Sequence, residues 1–300
     1  MTRLRRAVAV TGAALVLAAG GCSSVETEIT PAGAVNEIGI VAKDAELYAA
    51  LPEGVRTKGF IRLVTDASYA PMEYFSADGR TIIGFEPDLA AALGQVLGIR
   101  VELVVGVFST AIDEVDAGNY DGVLSSMTDT PERRERADFV NYFSTGTSIL
   151  VQRGNPGAIE ELGDLCGHAV ATEAGTYQEE MLKRVRATCG TTTLSIHSLP
   201  TNADALVELR TGRVAAVLQD YPPASYIATD AKTSAFFQLA SDKQYEPGLF
   251  GIAVDKDNAA LRDCLRGALQ RLIDSGTYTD LLARWELSAS AVTKATVNGR

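Results

Sequence analysis

The sequence predicts an α/β protein in which two lobes enclose a cleft. From residue 60 onward, short apolar runs alternate with amphipathic stretches, a pattern typical of parallel sheets with helices on both faces. A helix–Gly–strand unit recurs 94 residues further along the chain, and polar residues end both copies. About 240 residues lie beyond residue 58, which is enough for one large domain or for two lobes.

The first half of the alternation predicts three strands and two helices. Pro87 near its start and Gly98 at its end bound the first helix, and Gly118 ends the second. In chain order, the predicted elements are the strand FIRLVTD (60–66), the helix FEPDLAAALGQVLG (85–98), the strand RVELVV (100–105), a helix from about 109 to 117 and the strand YDGVLSS (120–126).

The second half of the alternation repeats this pattern with three strands and two helices. Its apolar runs again have the length of buried strands, and amphipathic stretches separate them. In chain order, the predicted elements are the strand HAVATE (168–173), the helix TYQEEMLKRVRA (176–187), the strand TLSIHSL (193–199), the helix ADALVELRT (203–211) and the strand VAAVLQD (214–220).

The recurring unit pairs residues 111–126 with residues 205–220. Gly118 matches Gly212, and a Val-Leu pair follows each glycine at the same distance. Chance is the alternative, because helix–Gly–strand units are common in α/β proteins. One copy ends in Ser-Ser and the other in Gln-Asp, and ligands of open α/β sheets bind beyond the carboxyl ends of strands. The match therefore favours two lobes that present polar groups to a shared cleft.

The N-terminus has the order of regions found in a secretory signal peptide. Arg3, Arg5 and Arg6 precede an apolar run over 7–19, and small residues lead from that run to Cys22. The run is too short to span a bilayer as a permanent helix. A buried core helix is the alternative, but three cations before an uncapped apolar run disfavour it. We therefore predict a signal peptide over residues 1–21.

The end of this signal, Ala19-Gly20-Gly21-Cys22, resembles the lipobox of bacterial lipoproteins, with Ala where Leu is usual. The resemblance implies that Cys22 is diacylated and becomes the new N-terminus. Residues 22–58 have few aromatic residues and mixed charge, and we predict a flexible tether there. We therefore expect an exported protein, anchored by lipid on the extracytoplasmic face of the cell membrane.

The composition excludes nucleic acid as a partner. Without residues 1–21 the chain keeps 24 of its 27 Lys and Arg residues and all 38 Asp and Glu residues, a formal net charge of −14. Such an acidic chain lacks the basic patch that nucleic acids or anionic lipid headgroups require.

The other cysteines predict one disulfide and one buried thiol. Outside the cell, Cys166 and Cys189 can close a loop that spans one helix. Cys264 shares its helical spacing with leucines, so we expect it on a core face. His168 and His197 are isolated in sequence, so no metal site or cofactor is expected.

The stretch VLSSMTDTPERR concentrates hydroxyls and a guanidinium where a strand ends and a helix begins. Ser126 and Thr128 would lie in the loop, Thr130 would cap the helix, and Pro131 would take its first position. A helix N-terminus favours an anion, and Arg133 offers a planar fork that fits a carboxylate. A capped surface helix with solvated arginines is the open alternative.

From residues 60 to 287 the chain resembles the bacterial solute-binding proteins of family 3, which are extracellular receptors for polar amino acids in ABC importers. Six motifs stand in the family's order: LVTDASYAPMEYF, IIGFEPDLAAALGQVLG, AGNYDGVLSSMTDTPERRERADF, EAGTYQEE, GRVAAVLQD and LIDSGTYTDLLARWEL. The resemblance implies a type II periplasmic-binding-protein-like fold. Lobe 1 would comprise residues 59–147 and 246–288, lobe 2 would comprise residues 148–245, and residues 289–300 would form a tail.

The resemblance also assigns ligand contacts. It implies that Arg133 holds the α-carboxylate of an amino acid, that Asp220 pairs with the α-ammonium group, and that Thr176 approaches the carboxylate from lobe 2. Hydroxyl contacts, aromatic walls and a loop carboxylate complete the implied site: Ser126 and Thr128, Tyr69 and Phe108, and Asp66.

Each of these residues also has a structural explanation. Arg134 competes with Arg133 for the carboxylate, and Asp220 before two prolines fits a turn. Tyr69 fits an ordinary core position, Thr176 fits a helix cap, and Asp66 fits a loop. Their joint order along the chain favours the ligand site.

We therefore expect a monomeric receptor that binds an amino acid and delivers it to the permease of an ABC importer. A sensor that reports to a membrane kinase would use the same contacts. An enzyme on this fold would need a positioned acid or base, and Glu73 and Glu173 are the acids near the motifs that qualify. We expect no catalysis.

Overall fold

A computed structural model describes residues 41–300 of the chain. The predicted signal peptide, the lipobox with Cys22 and the first part of the predicted tether lie outside the described residues. The strands of the described part have two to sixteen residues. They are β1 (Phe60–Thr65), β2 (Ser68–Tyr69), β3 (Glu73–Phe75), β4 (Ile82–Ile83), β5 (Arg100–Val105), β6 (Gly122–Val123), β7 (Ala137–Gln152), β8 (Ala169–Glu173), β9 (Ser195–Leu199), β10 (Ala216–Asp220), β11 (Phe237–Leu239), β12 (Tyr245–Asp255) and β13 (Thr296–Val297).

Helices alternate with these strands. The α-helices of the described part are α1 (Ala45–Ala50), α2 (Glu53–Lys58), α3 (Phe85–Leu97), α4 (Ala111–Asp116), α5 (Pro131–Arg134), α6 (Tyr177–Thr188), α7 (Asn202–Arg210), α8 (Tyr221–Thr229), α9 (Ala259–Asp274) and α10 (Thr277–Arg284). Short 3-10 helices span Phe108–Thr110, Leu162–Leu165 and Ser288–Ser290. Among residues 41–300, no helix combines the length and the apolar character that crossing a membrane requires.

The main sheet is mixed, and only its outer parts are parallel as predicted. Its strand order is β5-β1-β6-β12-β7-β10-β8-β9, with β5, β1 and β6 parallel at one end and β10, β8 and β9 parallel at the other. The long strands β7 and β12 run antiparallel to each other and to their neighbours in the middle. The predicted strands of each half are thus parallel to one another, and the two antiparallel strands, which the alternation did not predict, connect the two parallel ends.

Strand β7 changes partners at Thr147. From Ala137 to Thr147 it pairs with β12, and from Thr147 to Val151 it pairs with β10, so that Thr147 lies opposite both Tyr245 and Asp220. The buried apolar clusters also divide near this point. Two of the four clusters contain only residues up to Phe143 and from Phe250 onward, whereas residues 149–245 supply the other two. These observations support our proposed boundaries of lobe 1 and lobe 2.

The predicted recurring unit occurs once in each lobe. Helix α4 and strand β6 form the first copy, and α7 and β10 form the second. Gly118 and Gly212 follow the two helices with φ angles of 75° and 73°. Glycine suits both positions because side chains with a Cβ rarely adopt this left-handed conformation. The strand predicted over 120–126 is shorter than expected, since β6 covers only two residues.

Part of the predicted flexible tether and part of the predicted C-terminal tail are folded against lobe 1. Within the predicted tether, residues 45–58 form α1 and α2, and Leu51 and Val55 are buried in the lobe 1 core. At the other end, β13 pairs with β7, and the Asn298 side chain accepts from the Phe139 main-chain N–H at 2.9 Å. The prediction missed both because these segments are short and acquire their order from tertiary contacts.

The cysteines are arranged as the sequence predicts. A disulfide joins Cys166 to Cys189 across α6, with a sequence separation of 23 residues, and Cys264 is a buried free thiol on α9. The disulfide ties the start of β8 to the end of α6. It therefore fixes the C-terminal end of α6 in lobe 2, and Thr176 lies at the opposite end of this helix.

We predict that the double substitution Cys166→Ser, Cys189→Ser lowers the free energy of unfolding by about 3 kcal/mol, because the open loop has more conformational freedom in the unfolded chain. Urea denaturation with and without reductant measures the effect. Reductant should bring the wild type to the stability of the variant and leave the variant unchanged. A wild type whose stability does not respond to reductant would contradict the prediction.

Candidate functional site

A cavity lies between the lobes, beyond the carboxyl ends of β1, β6, β8 and β10. It offers about 20 Å³ to a water-sized sphere, which is room for about one water molecule. The predicted site residues other than Arg133 line it: Asp66, Tyr69, Phe108, Ser126, Thr128, Thr176 and Asp220. Arg133 is not in the lining but contacts two lining residues, Thr128 and Phe108. In this arrangement the lobes are closed, and a ligand the size of an amino acid needs them further apart.

Asp220 is buried at the end of β10 and is held from both lobes. The Tyr69 hydroxyl donates to Asp220 Oδ2 at 2.8 Å and accepts from the Asp220 main-chain N–H at 2.8 Å. From lobe 2, Gln178 Nε2 donates to Asp220 Oδ1 at 2.8 Å. Burial raises the pKa of Asp220 to about 7, although these hydrogen bonds and the charge of Arg133 lower it. A cation that enters the cleft would therefore stabilise the ionised carboxylate.

Arg133 reaches across the cleft from α5. Its Nη1 donates to the Thr128 carbonyl oxygen at 2.6 Å, and its Nη2 donates to the Gly175 carbonyl oxygen of lobe 2 at 2.9 Å. The guanidinium carbon lies 5.5 Å from the centroid of the Phe108 ring, within the range of a cation–π interaction. Burial lowers the pKa of Arg133 to about 10, so the group stays charged at neutral pH. Two of its five N–H donors are used in these bonds.

Arg134 points elsewhere. Its Nε donates to Asp129 Oδ1 at 2.5 Å and its Nη2 donates to Asp129 Oδ2 at 2.9 Å. The Asn141 side-chain amide also donates to Asp129. Arg134 is thus committed to a carboxylate within lobe 1, and of the two neighbouring arginines only Arg133 contacts lobe 2.

The helix that carries both arginines is shorter than expected. Helix α5 has four residues, and the Thr130 side chain accepts from the Arg133 main-chain N–H as predicted for its cap. A single turn aligns too few peptide dipoles to attract an anion by itself. The positive charge here therefore belongs mainly to the Arg133 side chain, and an anion site at this helix N-terminus stays a prediction.

Gly175 lets the lobes approach each other. Its φ angle is 74°, and a Cβ at this position would lie 2.8 Å from the Cα of Ser109 in lobe 1. Any larger residue would push the lobes apart. Thr176, the next residue, caps α6 by accepting from the Glu179 main-chain N–H at 3.3 Å, and its hydroxyl donates to the Glu173 carbonyl oxygen at 2.7 Å. The cap role of Thr176 is therefore real, and the residue also faces the cavity.

Ser126 forms part of the floor of the cavity, and its conformation depends on two buried glutamates. It has a φ angle of 48°, which is uncommon for a residue other than glycine. Both its main-chain N–H and its hydroxyl donate to Glu86 Oε1, at 2.8 and 2.9 Å. The Tyr142 hydroxyl donates to the same oxygen, and the Ser125 hydroxyl donates to Glu73 Oε1 at 3.0 Å. Both donors of Ser126 thus serve lobe 1.

Glu73 and Glu86 share a proton. Both are fully buried and hydrogen-bonded to each other, which two ionised carboxylates cannot be. Burial raises the pKa of both, and the charge of Glu86 raises that of Glu73 further, whereas the donors from Tyr142 and Ser126 lower that of Glu86. The proton is therefore held more firmly by Glu73 than by Glu86. Glu86 Oε2 has no hydrogen-bond donor from any other described residue.

Sequence reasoning missed several residues that line the site. Gln178 holds Asp220, and its amide also donates to the Thr147 hydroxyl at 3.1 Å. It follows Thr176 by two positions in the motif EAGTYQEE, so its place in the first turn of α6 was a signal for it. The Glu73–Glu86 pair had no such signal, because residues 13 positions apart meet only through the fold.

Two α/β lobes are joined by long antiparallel strands, Asp220 lines the cavity between them, and Arg133 contacts its lining residues Thr128 and Phe108. This arrangement defines a two-lobed ligand-binding protein of the type II periplasmic-binding-protein fold. The family model of the bacterial extracellular solute-binding proteins, family 3, matches residues 61–288. The chain belongs to this family.

The similar proteins of known sequence or structure are also amino-acid-binding proteins. The chain is 31% identical to the arginine-binding extracellular protein ArtP of Bacillus subtilis strain 168, over 74% of this chain and 84% of ArtP. A solved structure of AbpA from Streptococcus pneumoniae, an amino acid ABC transporter substrate-binding protein bound to L-arginine, is also similar. AbpA is 26% identical to this chain with a TM-score of 0.70, and the match covers 79% of this chain and 99% of AbpA. The ancestral amino acid-binding protein AncCDT-1, a precursor of cyclohexadienyl dehydratase, is 30% identical to this chain with a TM-score of 0.69. The match covers 78% of this chain and 98% of AncCDT-1.

We predict that Glu73→Gln is tolerated and flattens the pH dependence of stability. The native state keeps a proton on Glu73 that the unfolded chain releases above its ordinary pKa of 4.5, so the wild type loses stability as the pH rises from there. The loss is at most about 1.4 kcal/mol per pH unit for one proton. A glutamine keeps the donor to Glu86 but cannot ionise.

Urea denaturation between pH 5 and pH 9 measures this difference. The exposed residue Glu53 provides the matched control, and Glu53→Gln should follow the wild type. Parallel curves for the wild type and Glu73→Gln across this range would show that Glu73 is not the protonated partner.

Proposed function

We propose that this protein is the extracytoplasmic receptor of an ABC importer, that it captures an α-amino acid between its lobes, and that it delivers this ligand to the permease. The observation that carries the proposal is the placement of one cation, Arg133, and one buried anion, Asp220, at the same interlobe cavity. A zwitterion that leaves water needs both charges to be paired. The names of ArtP and AbpA support the same ligand class and transport system.

The α-carboxylate would bind the free donors of the Arg133 fork. A bidentate contact of this kind is short and strong because both partners are charged. Arg133 now donates to main-chain carbonyls of Thr128 and Gly175, and these neutral acceptors are weaker partners than a carboxylate. A ligand carboxylate that replaces one of these carbonyl oxygens would therefore form a stronger hydrogen bond with the Arg133 guanidinium.

The α-ammonium group would bind Asp220. Tyr69 now donates to one oxygen of this carboxylate, and an ammonium group competes with that hydroxyl with the advantage of its charge. Ionisation of Asp220 is costly in the closed cleft, since burial raises its pKa to about 7. The cation compensates for this cost, so closure of the lobes and binding of the ligand favour each other.

Closure can proceed by bending of two strands. Strands β7 and β12 join the lobes, and Thr147 lies where β7 changes partners. A bend near this residue separates Arg133 from Gly175 and Tyr69 from Asp220 without unfolding either lobe. Such hinge closure around a ligand is a known transition of two-lobed binding proteins.

A binding role fits the acids of the cleft better than catalysis does. Of the two acids named as candidates, Glu73 bonds with Glu86 and Ser125 in the floor of the cavity. It therefore has a structural partner for its proton. Glu173 is treated below as a binding residue.

We predict that Arg133→Gln weakens binding of the cognate amino acid by about 100-fold or more, because the α-carboxylate would be buried without a charged partner. Isothermal titration calorimetry on protein that has been unfolded, dialysed and refolded would measure this, with the twenty amino acids as the panel. Arg136→Gln is the matched control, since Arg136 forms exposed ion pairs with Asp113 and Asp116. Unchanged affinity in Arg133→Gln would remove this residue from the site.

We also propose that lipid on Cys22 anchors the receptor on the extracytoplasmic face of the membrane. The proposal rests on the sequence Ala19-Gly20-Gly21-Cys22 after an apolar run. A tether between Cys22 and α1 would let the receptor reach the permease, and it would be shorter than the range 22–58 because residues 45–58 are folded.

We predict that Cys22→Ala releases the protein from the membrane fraction, because the variant has no thiol to acylate. Fractionation of cells followed by immunoblotting measures the distribution, and Cys264→Ala is the control for loss of a cysteine. Retention of Cys22→Ala at the wild-type level would contradict lipid anchoring at this residue.

A further inference from the structure

The lining of the cavity includes one carboxylate, Glu173, that lacks a donor for one of its oxygens. Glu173 lies at the end of β8, and only 6% of its surface is exposed. The Asn202 main-chain N–H approaches this carboxylate, but Glu173 Oε1 has no hydrogen-bond donor among residues 41–300. Buried polar atoms are normally paired, so an unpaired carboxylate oxygen at a cavity wall points to a group that the protein itself does not supply.

The surroundings of Glu173 are acidic. Burial raises its pKa well above the ordinary value, and the charges of Asp66, Asp220 and Asp204 raise it further. Asp66 lines the same cavity, and its pKa is also raised, first by burial and then by Asp204. Within residues 41–300, neither Asp66 nor Glu173 forms an ion pair with Lys or Arg. The charged groups that act on Glu173 and Asp66 are thus acidic, and the ionised form of either carboxyl lacks a cationic partner among the described residues.

An organic cation fits the surroundings of Glu173 and Asp66 better than a metal ion does. Among residues 41–300, no group of three or more His, Cys, Asp or Glu side chains is arranged to hold a metal. Aromatic rings of Tyr69, Phe108 and Tyr177 line the cavity with the acids, and aromatic rings favour contact with ammonium and guanidinium groups. Asp220 and Arg133 already account for the two charges of the amino acid backbone, so a further cation would belong to the ligand's side chain.

We infer that the ligand is an α-amino acid with a cationic side chain, and that Glu173, together with Asp66, binds that cation and sets the preference over neutral analogues of the same shape. The inference rests on the proposed receptor function, because it assumes that Arg133 and Asp220 hold the backbone of the ligand.

Arginine and citrulline provide the test. Citrulline has nearly the shape of arginine but carries a neutral urea group where arginine carries the guanidinium. We expect the wild type to bind arginine at least about 100-fold more tightly than citrulline. When citrulline is bound, the carboxylate of Glu173 would be buried without a cation to pair with it. The measurement is calorimetric titration of the refolded chain from residue 22, with lysine, glutamine and glutamate as further ligands.

Glu173→Gln should reduce the arginine preference to less than about 10-fold and leave the affinity for citrulline within about 3-fold, since the amide keeps the shape and loses the charge. Glu180→Gln is the matched control on the neighbouring helix, because Glu180 is exposed and pairs with Lys183. A thermal melt checks that each variant is folded, and if Glu173→Gln does not fold, Asp66→Asn and the wild-type ligand series still test the cation.

The outcomes separate the two proposals. Tighter binding of glutamine or glutamate than of arginine and lysine would overturn the inference about the cation and leave the receptor function standing. A Glu173→Gln variant that is folded and keeps the full preference for arginine over citrulline would overturn the role of Glu173. Binding of no amino acid at all would instead overturn the proposed function.

Discussion

Two opposite charges buried between the lobes constrain the rest of the structure. Arg133 and Asp220 leave water when the cleft closes, and each is then satisfied partly by the other lobe, through the Gly175 carbonyl oxygen and the Tyr69 hydroxyl. Burial of either charge without these partners would cost several kcal/mol. The closed cleft therefore depends on polar contacts that a zwitterion can replace, and the same contacts make closure responsive to a ligand.

The course of the long strands explains how one chain can both close and stay folded. Each lobe keeps its own buried core, and β7 belongs to both because it pairs with β12 before Thr147 and with β10 after it. Asp220 lies opposite Thr147, so this buried carboxyl sits at the point where β7 changes partners. A small bend there changes the distance between Asp220 and Tyr69 while the ladders on both sides remain paired.

Local signals made much of the fold predictable. Gly98, Gly118 and Gly212 end their helices as predicted, because only a residue that tolerates positive φ suits those positions. The family motifs led to seven residues that line one cavity. The sequence could not show that β7 runs through both lobes, that residues 45–58 fold onto lobe 1, or that Glu73 meets Glu86. These features arise from long-range pairing and burial, which have no local pattern in the sequence.

The two lobes treat their buried acids differently, and this difference bears on specificity. In lobe 1, Glu73 and Glu86 share a proton, and the one negative charge that the pair keeps accepts hydrogen bonds from the floor residue Ser126 and from Tyr142. In lobe 2, the charged groups that act on Glu173 are all acidic, and its Oε1 has no donor among the described residues. The ionised form of this carboxyl therefore needs a cation that the described residues do not supply. A floor whose acids accept from the protein's own donors, beside a wall carboxyl that needs an external cation, favours selection by side-chain charge over selection by shape.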